Sequence, residues 1–213
     1  MIGSRVLPPR RMRRHALRSG ALPALAALAL LAGCGGDPPA APLSEGPPGA
    51  SPADGVTRIA ELSAQRAVVS SRVAAAKLGT GQAVTDPERE AAVVADARAD
   101  ATRAGVDPEW VARVVADQIA ASSQVQNDLL RRWNDRPESR LAERPDLAQV
   151  RPELGRIGDE LVAAMKVAAP ARVHEDCPST LAQAVVARAE SLDDLHRAAL
   201  GRALMSVCDR TPE

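Results

Sequence analysis

Two cationic side chains lie on the apolar face of the first predicted helix. The stretch 56–77 carries apolar residues at three- and four-residue intervals, as a helix packed against a core does: Ile59, Leu62, Val69 and Val73. Arg66 falls on this stripe, and Lys77 follows eleven residues later, which at roughly 100° per residue returns to nearly the same face. Because unpaired buried charges are costly and no acidic residue of this helix serves both cations, the pattern predicts a bound anion.

An alternative explanation needs no ligand. Arginine and lysine can lay their aliphatic stems over apolar surface while their charged ends reach water. Under this alternative, Arg66 and Lys77 are surface residues without a functional role.

Polar residues also occupy the apolar face of the third predicted helix. Gln118, Ser122 and Gln126 are four residues apart and therefore stack along one face. Buried amides and hydroxyls need hydrogen-bond partners, which either a ligand or a structural network between helices can supply. We assign Gln118 to the structural network and keep both alternatives open for Ser122 and Gln126.

The second predicted helix begins with charged residues near those two faces. Thr85-Asp86-Pro87-Glu88 is a helix-start signal, with Thr85 as the expected cap. Arg89 follows in the first turn, where the helix dipole slightly disfavours a cation. The alternatives are a surface position for Arg89, a helix-start role for Asp86 and a solvent-facing position for Glu90.

The order and spacing of six of these residues resemble the all-helical, AroQ-type chorismate mutases over most of residues 55–208. The six are Arg66, Lys77, Asp86, Arg89, Ser122 and Gln126. The amino-terminal signal, the later helices and a pair of cysteines resemble the secreted, gamma-class branch of that family. The resemblance implies an all-α fold, the substrate chorismate, no cofactor, no metal and a homodimer.

The resemblance also implies a role for each charged or polar residue on the two faces. Arg66 and Arg89 would hold the substrate's carboxylates, or one carboxylate and the adjoining hydroxyl region. Lys77 would reach the ether oxygen and a carboxylate, Gln126 would donate to the same ether oxygen, and Ser122 would bind a carboxylate.

Three further positions complete the site that the resemblance implies. The backbone amide of Asp86 and the side chain of Glu90 would receive the ring hydroxyl. Arg151 would supply the arginine that comes from the same chain in the secreted branch. The sequence departs from the family at Pro152, which is expected to restrict the backbone of Arg151 to extended conformations.

The implied reaction is a unimolecular rearrangement of chorismate to prephenate that needs no nucleophile, metal or proton transfer. The sequence agrees with this, since no Ser-His-Asp arrangement, metal cluster or phosphate loop is predicted. His174 and His196, the two histidines after the signal, are expected to be surface or capping residues. Lys77 and Gln126 are expected to stabilise the charge that develops on the ether oxygen, with Arg66 as a third catalytic residue.

The first 54 residues are predicted to lie outside the folded domain. Residues 1–33 carry six arginines, no acid and a short apolar run, which predicts a signal peptide. Leu31-Ala32-Gly33-Cys34 resembles a bacterial lipobox, which implies a lipid anchor on Cys34 and an exported protein held at a membrane surface; the alternative is a chance cysteine. Residues 34–54 then form a flexible Gly/Pro/Ala-rich tether.

Residues 55–213 are predicted to fold as one domain, an all-α bundle of about six helices. Alanine, arginine, glutamate, leucine and valine dominate, and Phe and Tyr are absent. Predicted helices span about 54–78, 86–104, 107–133, 146–169 and 179–207, the last with a break near Ser191.

The charge of this domain limits its partners, and its cysteines predict a covalent cross-link. Without the six signal arginines, 21 basic residues remain against 27 acidic ones, so nucleic acid is excluded as a partner of the whole surface. Cys177 and Cys208 are predicted to form a disulfide in an exported protein. A free thiol or a metal site with His174 is the weaker alternative, since no second ligand pair has a usual spacing.

Two rival functions remain open at this stage. A non-catalytic helical lipoprotein of the cell envelope explains the anchor, the tether and the disulfide, but it leaves the cations on apolar faces unexplained. A degenerate mutase that binds a small dicarboxylate without turnover lies between this rival and an active enzyme.

Overall fold

Residues 49–209 are described by the computed structural model of the chain. They contain six α-helices and one 3₁₀ turn, in the order α1 (Pro52–Lys77), α2 (Pro87–Ala104), α3 (Pro108–Asp135), the turn Pro137–Ser139, α4 (Leu147–Ala168), α5 (Cys177–Ala189) and α6 (Asp194–Ala203). This confirms the predicted all-α fold of about six helices, with its break before α6. The predicted signal peptide, Cys34 and most of the tether lie outside the described residues.

None of these helices is both long enough and apolar enough to cross a membrane, within the stretch 49–209. The bundle itself therefore offers no membrane-spanning segment in its described part.

Side-chain caps set where the helices begin. The Ser51 hydroxyl accepts a hydrogen bond from the Asp54 amide at 3.2 Å, and the Asp54 carboxylate accepts one from the Ser51 amide at 2.7 Å. This reciprocal pair satisfies two amides that the first turn leaves free, so α1 begins at Pro52, two residues before the predicted start. Asp146 and Gln149 form the same kind of capping box at α4.

The predicted cap of α2 was wrong by one residue. Asp86, not Thr85, is the N-cap, and its carboxylate accepts a hydrogen bond from the Arg89 amide at 3.2 Å. The reason is the position of Pro87, whose fixed φ and missing N–H suit the first helical residue, so that the residue directly before it becomes the cap. The preceding helix ends at Lys77, one residue before its predicted end, and Gly79 and Gly81, both with φ of 75°, turn the chain after it.

The core is built around α1, which packs against α3, α4, α5 and α6. Its inward face includes Ile59 and Leu62, both without exposed surface. Trp110 and Trp133 of α3 fill the two ends of the core, and each indole N–H is paired: Trp110 Nε1 donates to Ser206 O at 2.9 Å and Trp133 Nε1 to Ser139 O at 3.0 Å. In contrast, α2 packs mainly against α3, and its only buried residues are Ala97 and Ala101.

Close approach of α1 and α4 requires a glycine. A Cβ atom on Gly55 would lie 2.5 Å from the backbone nitrogen of Ala168, a separation that neither backbone can tolerate. The missing side chain therefore sets how closely the two helices pack.

The carboxyl-terminal segment is tied back to the bundle. Cys177 and Cys208 form the predicted disulfide, with their Cα atoms 5.8 Å apart. Arg172 pairs with Asp107 at 2.9 Å and with Asp209 at 3.3 Å, and its guanidinium lies 4.8 Å from the ring centre of Trp110. These contacts hold the last turn over the buried indole.

Gly55→Ala should destabilise the fold because the added methyl group forces α1 and α4 apart. We expect the free energy of unfolding to fall by about 1–3 kcal/mol in urea denaturation followed by circular dichroism. Gly155→Ala is the matched control in α4, since a Cβ there meets nothing within 4 Å. The control should be neutral or slightly stabilising, because alanine is the better helix former. Equal effects of the two substitutions would contradict the packing explanation.

Candidate active site

Arg66 is a half-buried cation without an ion-pair partner among the described residues. It lies in the middle of α1, and its Nε is buried with no hydrogen-bond acceptor. Burial lowers the pKa of its guanidinium, and no carboxylate within residues 49–209 forms an ion pair with it. The side chain therefore carries part of the cost of desolvation without the attraction that normally offsets it.

Lys77 lies at the end of α1 and is held by the loop that follows. Its ammonium donates to Ala83 O at 3.0 Å and to Val84 O at 3.2 Å. Partial burial lowers the pKa of Lys77, and the nearby charge of Arg89 lowers it further, while Asp86 and Glu90 act in the opposite direction. These couplings show that the start of α2 lies next to the end of α1.

Hydrogen bonds within the first turn of α2 pair its polar groups with each other. The Asp86 carboxylate is used in the cap, and the Asp86 amide donates to Glu90 Oε1 at 3.4 Å. Asp86 and Arg89 are exposed, whereas Glu90 is half-buried. The two groups that the resemblance assigns to a ring hydroxyl are thus paired with each other.

A chain of polar side chains connects α1 to α3. The Ser70 hydroxyl donates to Arg66 O at 2.8 Å, and its oxygen lies 2.8 Å from Ser122 Oγ. Gln126 Nε2 lies 3.0 Å from the same Ser122 oxygen, while Gln126 Oε1 is buried without a partner. Ser122 and Gln126 of α3 therefore lie next to the turn of α1 that carries Arg66. One polar atom of this chain, Gln126 Oε1, has no partner.

Ser70 was missed by sequence reasoning. It is fully buried and bridges α1 and α3, but the sequence pattern singled out only other residues on the apolar face of α1. The signal was available, because Ser70 follows Arg66 by four residues, the same spacing that singled out Ser122 and Gln126.

Gln118 belongs to a separate structural network, as predicted. Its Nε2 donates to Ser63 Oγ at 2.7 Å and to Ala203 O at 3.1 Å. The amide donors are thereby used to join α3 to α1 and to the end of α6, which leaves Gln118 no donor for a ligand.

Arg151 does not have the extended backbone that Pro152 was expected to impose. Both residues lie within the second turn of α4, because the capping box at Asp146 starts the helix early enough to include them. Arg151 is exposed, and none of the hydrogen bonds or ion pairs of the described residues joins it to the other candidate residues. The neighbouring Glu153 pairs with Arg72 of α1 and so holds this part of α4 against α1.

The expectation of no Ser-His-Asp arrangement was wrong. Ser71 Oγ lies 2.8 Å from His196 Nε2, and His196 Nδ1 lies 2.7 Å from Asp193 Oδ1. Periodicity could not reveal this, because Ser71 and His196 are 125 positions apart and meet only when α6 packs on α1. The capping expectation for His196 was partly right, since it lies in the first turn of α6 beside the N-cap Asp193.

A surface groove lies between α2 and α3. It has a volume of about 520 Å³ and is lined by Glu90 but by none of the other candidate residues.

A known protein family matches the part of the chain that carries most of the candidate residues. A family model described as chorismate mutase type II matches residues 57–127. That stretch contains seven of the eight candidate residues: Arg66, Lys77, Asp86, Arg89, Glu90, Ser122 and Gln126. Only Arg151 lies beyond it.

Individual relatives extend the likeness over most of the described chain. A secreted chorismate mutase of Mycolicibacterium smegmatis is 32% identical over 152 residues, which cover 70% of this chain and 84% of that protein. The crystal structure of a chorismate mutase from Burkholderia thailandensis is 37% identical with a TM-score of 0.67, covering 72% of this chain and 99% of the other. One from Burkholderia phymatum is 34% identical with a TM-score of 0.70, covering 75% and 99%. The chain therefore belongs to the type II chorismate mutase family.

Proposed function

We propose that this protein is an active chorismate mutase, an isomerase that converts chorismate to prephenate. The observation that carries the proposal is the half-buried, unpaired guanidinium of Arg66, whose Nε is buried, beside a polar chain in which Gln126 Oε1 has no partner. A small dicarboxylate supplies the missing negative charge. The purified protein should consume chorismate, which the loss of its absorbance measures directly; binding without turnover would identify a degenerate mutase instead.

Arg66, Lys77 and Arg89 each bind a different part of the chorismate dianion. Arg66 and Arg89 hold the carboxylates, or one carboxylate and the hydroxyl region. Lys77 reaches the ether oxygen and a carboxylate. Because two of its three N–H donors already bind loop carbonyls, the remaining donor has a fixed direction before substrate arrives. Holding the substrate in a compact conformer in this way removes much of the entropic barrier.

The rate enhancement comes from charge that develops during bond cleavage. As the carbon–oxygen bond breaks, negative charge grows on the ether oxygen, and donors aimed at it stabilise the transition state more than the substrate. Lys77 and Gln126 supply these donors. Gln126 acts where burial has removed competing water, and Lys77 where water is partly excluded, which strengthens both interactions.

Gln126 reaches its catalytic orientation by rotation of its amide. Exchanging Oε1 with Nε2 places the NH₂ group at the buried position that has no partner, facing the ligand. The Ser122 hydroxyl then donates to Oε1, and the Ser70 hydroxyl turns its proton from Arg66 O to Ser122 Oγ. Ser122 has one proton, for which Gln126 and a substrate carboxylate compete.

The start of α2 and one residue of α4 complete the proposed site. The Asp86 amide and Glu90 bind the ring hydroxyl, which replaces their mutual 3.4 Å contact. Arg151, on an exposed turn of α4, supplies a further guanidinium to the substrate by movement of its long side chain. The reaction calls for no cofactor and no metal.

We further propose that the enzyme acts outside the cytoplasm, as a homodimer held at a membrane surface by a lipid on Cys34. The disulfide supports export, because such bonds persist in oxidising compartments. The secreted relative from Mycolicibacterium smegmatis supports it as well. Residues 35–54 would then serve as the tether between lipid and bundle.

Arg66→Met should abolish activity while stabilising the unliganded protein. We expect kcat/KM to fall at least about 10²-fold, because the main counter-charge is lost. The free energy of unfolding should rise by about 1 kcal/mol or more, since an apolar side chain replaces an unpaired buried charge. Arg131→Met, on the exposed side of α3, is the control and should change neither quantity greatly. Lower stability with retained activity would show that Arg66 is structural.

Ser70→Ala should reduce kcat by about tenfold, equivalent to about 1.4 kcal/mol, with little change in KM. The lost hydroxyl leaves Ser122 and Gln126 less well oriented in the transition state, although no substrate contact is removed. Ser63→Ala is the matched control, because it removes a buried hydroxyl from the Gln118 network. That control should lower stability without changing kcat; a similar kcat loss in both variants would contradict a positioning role for Ser70.

Gln126→Glu should make activity dependent on acid. An amide donates at any pH, so wild-type kcat should be nearly flat from weakly acidic to weakly basic pH. It should then decline at a lower alkaline pH than for an ordinary lysine, because the pKa of Lys77 is lowered. The introduced carboxyl donates only when protonated, so kcat of the variant should rise at least about tenfold as pH falls through its pKa. Gln124→Glu, two residues earlier, should keep the flat profile. Wild-type activity confined to acidic buffer would refute the role of Gln126.

A further inference from the structure

Ser71, His196 and Asp193 form a hydrogen-bonded relay between α1 and α6. Ser71 Oγ lies 2.8 Å from His196 Nε2, and His196 Nδ1 lies 2.7 Å from Asp193 Oδ1. Both distances fall in the range over which a base takes a proton from a hydroxyl and a carboxylate orients the base. The chorismate reaction uses none of these three groups.

Asp193 determines which ring nitrogen of His196 faces Ser71. Partial burial would raise the pKa of Asp193, but hydrogen bonds from the His196 backbone and ring, with the charges of His196 and Arg132, lower it. The ionised carboxylate accepts the Nδ1 proton. Nε2 of the neutral ring is thereby left as an acceptor directed at the Ser71 hydroxyl.

The His196 imidazole is largely buried between the helices, whereas Ser71 is partly exposed to solvent. The His196 side chain is 12% exposed, and its backbone amide also donates to Asp193 Oδ1 at 2.9 Å. Ser71 keeps part of its surface in solvent. An electrophile can therefore approach Ser71 from outside while the imidazole stays fixed between the helices.

We infer that Ser71 is a base-activated nucleophile, a second reactive site that takes activated acyl or phosphoryl groups. Ser71 Oγ bonds to the carbonyl carbon or phosphorus, and the leaving group, an aryloxide or fluoride, departs with its electron pair. The hydroxyl proton goes to His196 Nε2. The product is an ester on Ser71.

The local backbone limits the class of electrophile. A positioned general base contributes about 10²–10⁴-fold to such a step. The Ser71 N–H lies in the middle of α1, where it is used in the helix and cannot stabilise an oxyanion. Reactivity is therefore confined to electrophiles with good leaving groups, since they depend least on oxyanion stabilisation.

The relay is separate from the chorismate site although the two share α1. Ser70 faces Ser122 of α3, whereas Ser71, about 100° further round the helix, faces His196 of α6. Modification of Ser71 should therefore leave mutase turnover largely unchanged.

Labelling with diisopropyl fluorophosphate tests this inference on the full, disulfide-bonded protein. Peptide mass spectrometry should find the adduct on Ser71, formed at least about 100-fold faster than on Ser123, a partly exposed serine of α3. Ser71→Ala should lose the adduct, and His196→Gln should slow it by a similar factor. Equal rates at Ser71 and Ser123, or a rate that His196→Gln leaves unchanged, would overturn the inference.

Asp193→Asn separates orientation of the base from simple folding. Asparagine caps a helix about as well as aspartate, so α6 should remain intact. The neutral amide no longer fixes the Nδ1 proton, and labelling should slow at least about tenfold. Chorismate turnover of each variant is measured in parallel, so that a lost label with retained turnover is assigned to the relay. Unchanged labelling in this variant would contradict the relay.

Discussion

The unpaired charge of Arg66, partly removed from water, is the constraint on which the rest of the structure depends. Its Nε is buried without an acceptor, so other contacts must hold α1 in place. The close approach of Gly55 to Ala168 and the disulfide-bonded carboxyl-terminal segment do so from two sides. The fold therefore keeps in place a cation that no carboxylate of residues 49–209 neutralises.

This constraint suits a reaction that needs position and charge rather than bond-making by the protein. The proposed donors, Lys77 and Gln126, come from two different helices, and each is aimed by neighbouring polar atoms. Loop carbonyls direct the Lys77 ammonium, and Ser70 with Ser122 directs the amide. The geometry is thus compatible with the chemistry of the family to which the chain belongs.

The long first helix also brings a different chemistry to its opposite side. Ser70 and Ser71 are adjacent in the chain but face α3 and α6, respectively, so one hydroxyl supports the mutase site and the other meets an imidazole. A helix that is surrounded by neighbours on most of its circumference can serve two sites whose residues alternate in the sequence. Their separation follows from the turn angle between successive residues.

Sequence alone determined the helices and the disulfide partners, because periodicity, caps and turn residues act locally, whereas the candidate site residues stay a prediction. Its local errors were small: the cap of α2 is Asp86 rather than Thr85, and Arg151 is helical rather than extended although Pro152 follows it. Only the tertiary structure revealed that Ser70 completes the polar chain and that Ser71 meets His196. These contacts join residues 52 and 125 positions apart, and no local pattern specifies which face of α1 each neighbouring helix covers.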